Sequence, residues 1–208
     1  MIYVGIAVFV AYILGSFPTA YVFGKALKGI DIRQHGSGNV GATNVARVIG
    51  KVPGVIVLII DFLKGFAAVT LLPLALQKWV FQDEPVRQYV YILIGIAVIT
   101  GHVWTCFLRF KGGKGVATTG GVMAGLSPAI LLGCLVVWAC VFAVWKYVSL
   151  ASIAAACALP VFAVISGRDV SFVIFCGILC LAGVYLHRNN IKRLIQGTES
   201  RIVKIQKR

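Results

Sequence analysis

Acidic side chains are the scarcest chemistry in this chain: six Asp and Glu stand against 20 Lys and Arg, a formal net charge of +14. Charge of either sign is also thin, at 12% of 208 residues, where a soluble domain carries about 25%. With 60% of residues hydrophobic, a water-soluble globule is excluded. The length accommodates several spans of roughly 20 residues but no further soluble domain of ordinary size, so one integral-membrane domain, 1–208, is expected. Histidine is limited to three residues, and the six cysteines (Cys106, Cys134, Cys140, Cys157, Cys176 and Cys180) contain no C-x-x-C pair. Lying in or beside apolar runs, the cysteines read as small buried apolar side chains, neither disulfides nor a zinc site, and no metal is expected. A basic surplus suits nucleic acid, but here it occupies only gaps between apolar runs, with no polar body to carry a basic groove. Nucleic-acid binding is therefore not expected. No basic residue precedes the first apolar run, Ile2 to Phe23, and it is longer than a signal-peptide core, so it is expected to stay in the membrane.

Further apolar runs cover Pro53 to Leu76, Tyr89 to Leu108, Val116 to Trp145, Val148 to Ile165 and Val170 to Leu186. Three segments between or after them are basic. Lys25, Lys28, Arg33, Arg47 and Lys51 lie in the first gap, Arg109, Lys111 and Lys114 in the third, and Arg188, Lys192, Arg193, Arg201, Lys204, Lys207 and Arg208 in the tail. The positive-inside rule makes all three cytoplasmic. Placing the third gap and the tail on one side requires an even number of crossings between them, yet only three runs lie there. The run from Val116 to Trp145 must therefore break, and Ser127-Pro128 supplies the break, because proline lacks a donor and disfavours helix in the residue before it. A short helix, Val116 to Leu126, and a full one, Pro128 to Trp145, are predicted. The fold class is then all-α, a polytopic membrane protein of seven transmembrane helices, one of them short, with the N-terminus outside and the C-terminus cytoplasmic. Lys146 joins the cytoplasmic set. Lys78, Arg87 and Arg168 fall outside beside Asp83, Glu84 and Asp169, leaving that face nearly neutral. No internal repeat is visible, which disfavours the repeat-built transporter folds.

The first cytoplasmic loop reads Gly36-Ser37-Gly38-Asn39-Val40-Gly41, a letter-for-letter G-x-G-x-x-G. A dinucleotide site would need a buried strand before it and an acid ending a second strand. Here a membrane helix precedes it, and Asp61, at the right distance, lies inside a span. The local chemistry still suits a phosphate: glycines let backbone N–H groups approach a ligand, Ser37, Asn39, Thr43 and Asn44 add neutral donors, and Arg47 is close by. A flexible solvated loop is the plain alternative. The second basic loop, Lys111-Gly112-Gly113-Lys114-Gly115-Val116-Ala117-Thr118, lacks the Ser or Thr that a Walker loop has after Gly-Lys. It runs into a helix start, however, where free N–H groups and the dipole favour anions. The tail opens with His187-Arg188-Asn189-Asn190-Ile191-Lys192-Arg193, continuing the last helix, so that His187, Asn190 and Ile191 share a face. Within the spans, Asp61 and Lys64 read as mutually neutralising. Pro18 should bend the first helix and free a carbonyl, and His102 and Trp104 are expected at the interface.

Together these segments resemble the bacterial acyl-phosphate:glycerol-3-phosphate acyltransferases of the PlsY type. The resemblance rests on Gly15 to Thr19 (GSFPT), Gly36 to Asn44 (GSGNVGATN), Asp61 to Gly65 (DFLKG), Lys111 to Thr118 (KGGKGVAT), and His187 to Arg193 with Gly197 and Glu199. It implies an enzyme of the bacterial cytoplasmic (inner) membrane, its site facing the cytoplasm, that makes lysophosphatidate in the first acylation of phospholipid synthesis without coenzyme A, cofactor or metal. Ser37, Arg47, Lys111, His187 and Asn190 are the implied catalytic residues. Gly38, Asn39, Thr43, Asn44, Gly112, Gly113, Lys114, Gly115, Thr118 and Glu199 are the implied substrate-binding ones. Membrane lipids and a soluble acyl-phosphate-producing enzyme are the expected partners. No histidine is followed at the fifth position by an acid, so the H-x4-D dyad of soluble acyltransferases is absent. The donor's phosphate is then expected to accept the proton while Lys111, Lys114 and Arg47 hold the anions. A small transporter or channel for an anionic solute is the alternative, though the spans offer it few polar residues.

Overall fold

The computed structural model describes residues 2–80 and 84–201, with side chains described except at 77–80 and 84–87. The expected placement of Asp83, Lys204, Lys207 and Arg208 lies outside the described residues, as do the side chains of Lys78, Glu84 and Arg87. Every regular element among the described residues is helical: α1 Ile2–Ser16, α2 Thr19–Lys28, α3 Ala42–Val48, α4 Lys51–Val80, α5 Glu84–Val103, α6 Val116–Leu126, α7 Pro128–Trp145, α8 Val148–Ile165, α9 Val170–Leu186 and α10 Arg188–Ile195, with 3-10 turns at Ile32–Gln34 and Cys106–Leu108. Among the described residues, five helical stretches are long and apolar enough to cross a membrane: Ile2–Lys28, Lys51–Leu76, Gln88–Leu108, Pro128–Trp145 and Val148–Ile165. The pair α9 and α10 makes a sixth, bent by 56°, and α6 is a shorter apolar helix. The expected break appears at Ser127, whose N–H still bonds to the Met123 carbonyl at 2.8 Å before Pro128 starts α7.

The chain divides into two compact units, one ending at Ser127 and one beginning at Pro128. In the first, α1 packs on α5, and α4 packs on α1, α3, α5 and α6. Small residues sit where these helices touch: a Cβ on Gly15 would meet the Val98 carbonyl, one on Gly101 the Tyr12 carbonyl, and one on Gly121 the Phe62 carbonyl. Such contacts let backbones close up where lipid provides no hydrophobic drive for helices to associate. Pro18 breaks the first span into α1 and α2, and the Phe17 carbonyl at the break accepts both the Thr19 N–H at 3.0 Å and Lys64 Nζ at 3.2 Å. The loop between α2 and α3 folds over an apolar base. Ile32, Val40 and Val45 are buried with Ala20, Val57 and Leu108 in one apolar cluster beneath it.

In the second unit α8 packs between α7 and α9. Leu132, Val136, Val144, Val161, Val164 and Leu181 are exposed, a distribution that lipid tolerates and water does not. The last helix does not run on through His187 as expected. It ends at Leu186 and turns by 56° into α10, leaving His187 at the bend. All six cysteines are free; Cys134 and Cys176 are buried, but Cys106, Cys140 and Cys157 are exposed, contrary to the expectation of burial.

Candidate active site

The first loop is built around one side chain. Asn44, 1% exposed, donates through Nδ2 to the carbonyls of Ile32 (3.2 Å), His35 (3.0 Å) and Asn39 (3.1 Å), and its Oδ1 accepts the Ser37 N–H at 2.9 Å. Its polar atoms are thus committed to shaping the loop, with Gly36 and Gly38 supplying the two left-handed turns. Expected as a substrate-binding group, Asn44 has the geometry of an organiser. Ser37 and Arg47 remain exposed, Gly38, Asn39 and Thr43 half-buried. The preceding 3-10 turn is capped by Asp31, whose carboxylate accepts Arg33 Nε at 3.0 Å and Nη2 at 2.7 Å. The Arg33 guanidinium holds the Asp31 carboxyl at a pKa of about 2, burial opposing it in part. Among the described residues no strand precedes the G-x-G-x-x-G run, and Asp61 is buried in α4, so the dinucleotide reading fails on context.

The second loop hangs from the end of α5. The Gly112 N–H bonds to the Val103 carbonyl at 2.9 Å and the Gly113 N–H to the His102 carbonyl at 3.1 Å. A Cβ on Gly113 would collide with both His102 Nε2 and the Val40 carbonyl of the first loop. The two loops therefore abut, and only glycine permits it. Gly115, at φ 77°, turns the chain into α6. Thr118 is fully buried, its Oγ1 without a hydrogen-bond partner and its carbonyl against Gly65. Lys114 is half-buried. Lys111 is exposed and lines a groove of about 480 Å³ with Tyr21, Arg33, Phe107, Leu108 and Arg109.

Beneath this loop lies a polar cluster larger than the expected Asp61–Lys64 pair. Asp61 Oδ1 accepts Thr19 Oγ1 at 2.9 Å, lies 2.8 Å from Lys64 Nζ and 3.7 Å from His102 Nδ1. His102, expected at the interface, is only 8% exposed, whereas Trp104 is exposed as anticipated. A histidine two residues before Trp104 and nine before the second basic loop reads as a boundary residue; only the packing of α5 against α4 turns it inward.

The second unit has its own cluster. Glu199 accepts Asn190 Nδ2 at 2.6 Å and Ser149 Oγ at 2.7 Å on Oε1, and Arg193 Nε at 2.7 Å on Oε2. Burial raises the Glu199 carboxyl, but these three donors outweigh it and hold the pKa below the usual carboxylate value. Glu199, expected to bind substrate, thus clasps α8 to α10. His187 is buried, and its Nδ1 lies 2.8 Å from the Gly183 carbonyl. Because a carbonyl only accepts, Nδ1 carries the proton and Nε2 is the acceptor in the neutral ring. Ser149 has no signal in the sequence, because its partner lies fifty residues away. No group of three or more metal-ligating residues occurs among the described residues.

Apolar helices joined by glycine-built polar loops define an integral membrane protein, and its similarity to known proteins makes it an acyltransferase. The fold matches the crystal structure of PlsY (YgiH), an integral membrane glycerol 3-phosphate acyltransferase, in its glycerol 3-phosphate form, with a TM-score of 0.86 at 40% identity over 96% of each chain. The lysophosphatidic acid form matches at 0.82 and 39% identity, over 96% of this chain and 95% of that one. Glycerol-3-phosphate acyltransferase 2 of Moorella thermoacetica is 44% identical over 95% of this chain and 96% of its own. Glycerol-3-phosphate acyltransferase of Desulforudis audaxviator is 46% identical over 92% and 91%. Residues 5–197 match the glycerol-3-phosphate acyltransferase family, and the chain belongs to it.

Proposed function

We propose that this acyltransferase takes its acyl group from an acyl phosphate and delivers it to glycerol 3-phosphate, giving lysophosphatidate and inorganic phosphate. The observation that carries the reading is the meeting of the two loops at Gly113 and Val40, because two phosphate-bearing substrates must be held side by side, and loops rich in N–H donors and cations suit that task. In the step, the glycerol hydroxyl oxygen bonds to the acyl carbonyl carbon, the carbonyl carbon–phosphate oxygen bond breaks, and the proton passes to the departing phosphate. Lys111, Lys114 and Arg47 hold the anions. Proximity and fixed charge supply the rate enhancement. His187 and Asn190 act by positioning. The same reading sets the enzyme in the bacterial inner membrane with seven spans, the N-terminus outside and the site facing the cytoplasm, supplied by a soluble enzyme that makes the acyl phosphate.

Purified protein given acyl phosphate and glycerol 3-phosphate is expected to release inorganic phosphate and lysophosphatidate in equal amounts; product from acyl coenzyme A but not from acyl phosphate overturns the donor assignment. His187→Gln should retain measurable activity, whereas complete loss in a folded sample would make the ring a general base.

A further inference from the structure

Asp61, Lys64 and His102 are titratable side chains that the proposed chemistry does not use, and they are buried, with exposures of 2%, 6% and 8%. An ion pair at this depth needs only two members to be neutral. Here the carboxylate also takes the Thr19 hydroxyl, and Lys64 Nζ reaches the Phe17 carbonyl at the break between α1 and α2. The pair is therefore tied at two points to the break between α1 and α2. Nearby, Thr105 Oγ1 donates to the Ser16 carbonyl at 2.6 Å, fixing the segment after α5 to the end of α1. The third member, His102, is the residue from which the glycine loop hangs. Its carbonyl accepts the Gly113 N–H, and its Nε2 edge occupies the space beside the Gly113 Cα that a Cβ would need. On the ring's other side, Nδ1 lies 3.7 Å from Asp61 Oδ1, an electrostatic contact beyond hydrogen-bond length.

We propose that His102 is a positioning residue for substrate binding: Asp61, locked by Lys64 and Thr19, orients the imidazole, and the imidazole forms the floor on which Gly113 and the following Lys114 are held toward the phosphate of glycerol 3-phosphate. The proposal rests on the second loop being the glycerol 3-phosphate site. Its physical basis is that a buried charge pair with satisfied partners has one geometry, and a small displacement of a binding loop weakens binding far more than it disturbs the fold.

The experiment compares the Michaelis constants for both substrates, and kcat, in purified full-length His102→Gln, Asp61→Asn, the double variant and Lys114→Gln. His102→Gln keeps the side chain's bulk but removes the ring nitrogen facing Asp61. It is expected to raise KM for glycerol 3-phosphate about tenfold, leaving kcat and KM for acyl phosphate within about twofold. Asp61→Asn should raise the same constant, and the double variant no further than the larger single change, because both act through one ring. A general loss of stability would instead lower the active fraction without selecting one substrate's KM. If Lys114→Gln raises KM for glycerol 3-phosphate while His102→Gln does not, the positioning role is overturned and the site stands. If neither variant changes it, the assignment of the second loop falls, and this proposal with it. A fall in kcat at constant KM also overturns the role. His102→Gln decides the KM question by itself should Asp61→Asn not fold.

Discussion

Asn44 is where a single side chain bears most on the outcome. Its amide satisfies three carbonyls and one N–H of the first loop, and a buried polar group left without a partner costs about 1–3 kcal/mol. Asn44→Ala is expected to destabilise the protein by about 2–4 kcal/mol in thermal or denaturant melts and to abolish most activity. Asn44→Asp should be no better, since a carboxylate keeps the bond to Ser37 but turns oxygen toward three carbonyls. Glu199 gives a pH prediction. Its folded pKa lies below the ordinary 4.5, so its clasp on α8 and α10 is fully present above about that value and is lost as pH falls through the depressed one. Hydrogen-exchange protection of residues 188–195, corrected for intrinsic rate, should drop in this acidic window and show no such step in Glu199→Gln. Neither role was legible beforehand. An asparagine in a glycine-rich loop reads equally as ligand donor or loop organiser, and the carbonyls that decide between them lie 5 to 12 residues away.

Helices meet in the first unit through glycine, and the cost of a methyl group depends on what it would touch. A Cβ on Gly121 would collide with the Phe62 carbonyl of α4, whereas one on Gly177 in α9 meets nothing within 4 Å. Gly121→Ala should therefore lower the melting temperature of the detergent-solubilised protein, with an overpacking cost of about 1–3 kcal/mol. Gly177→Ala should leave it unchanged or raise it slightly, as alanine is the better helix former by about 0.5–1 kcal/mol. Element boundaries were largely readable because their causes are local. Proline at 128 ends one helix and begins another, and apolar runs bounded by charge stop where the charge starts. The bend at His187 was not, since no proline or glycine marks it; α10 turns by 56° where the apolar run yields to Arg188 and Lys192, and Glu199 holds it there.

At the scale of the whole molecule, the +14 charge supports the proposed topology through the positive-inside rule. The proposed orientation makes α6 a crossing, so a reporter fused after Leu126 should report the outside and one fused after Lys146 the cytoplasm. A cytoplasmic signal at Leu126 would return α6 to the same side as the glycine loop and remove the seventh span. Most tail charges are read as lipid anchors, each worth about 1 kcal/mol near an anionic surface. Lys111 and Lys114 belong to the second of the loops that meet, Arg47 to the helix that follows the first, and Lys111 also shares its groove with Arg33 and Arg109.

Sequence by itself determined the membrane class, the order of apolar helices and the break at Ser127-Pro128, because each follows from hydropathy, charge and backbone chemistry within a few residues. Tertiary structure decided what individual polar side chains do. Asn44 became an organiser, Glu199 a clasp, and His102 a buried support under Gly113, each through partners brought close only by packing. The reason is physical: hydrophobicity is additive along the chain, whereas a hydrogen bond acts over about 3 Å and exists only when folding delivers its partner.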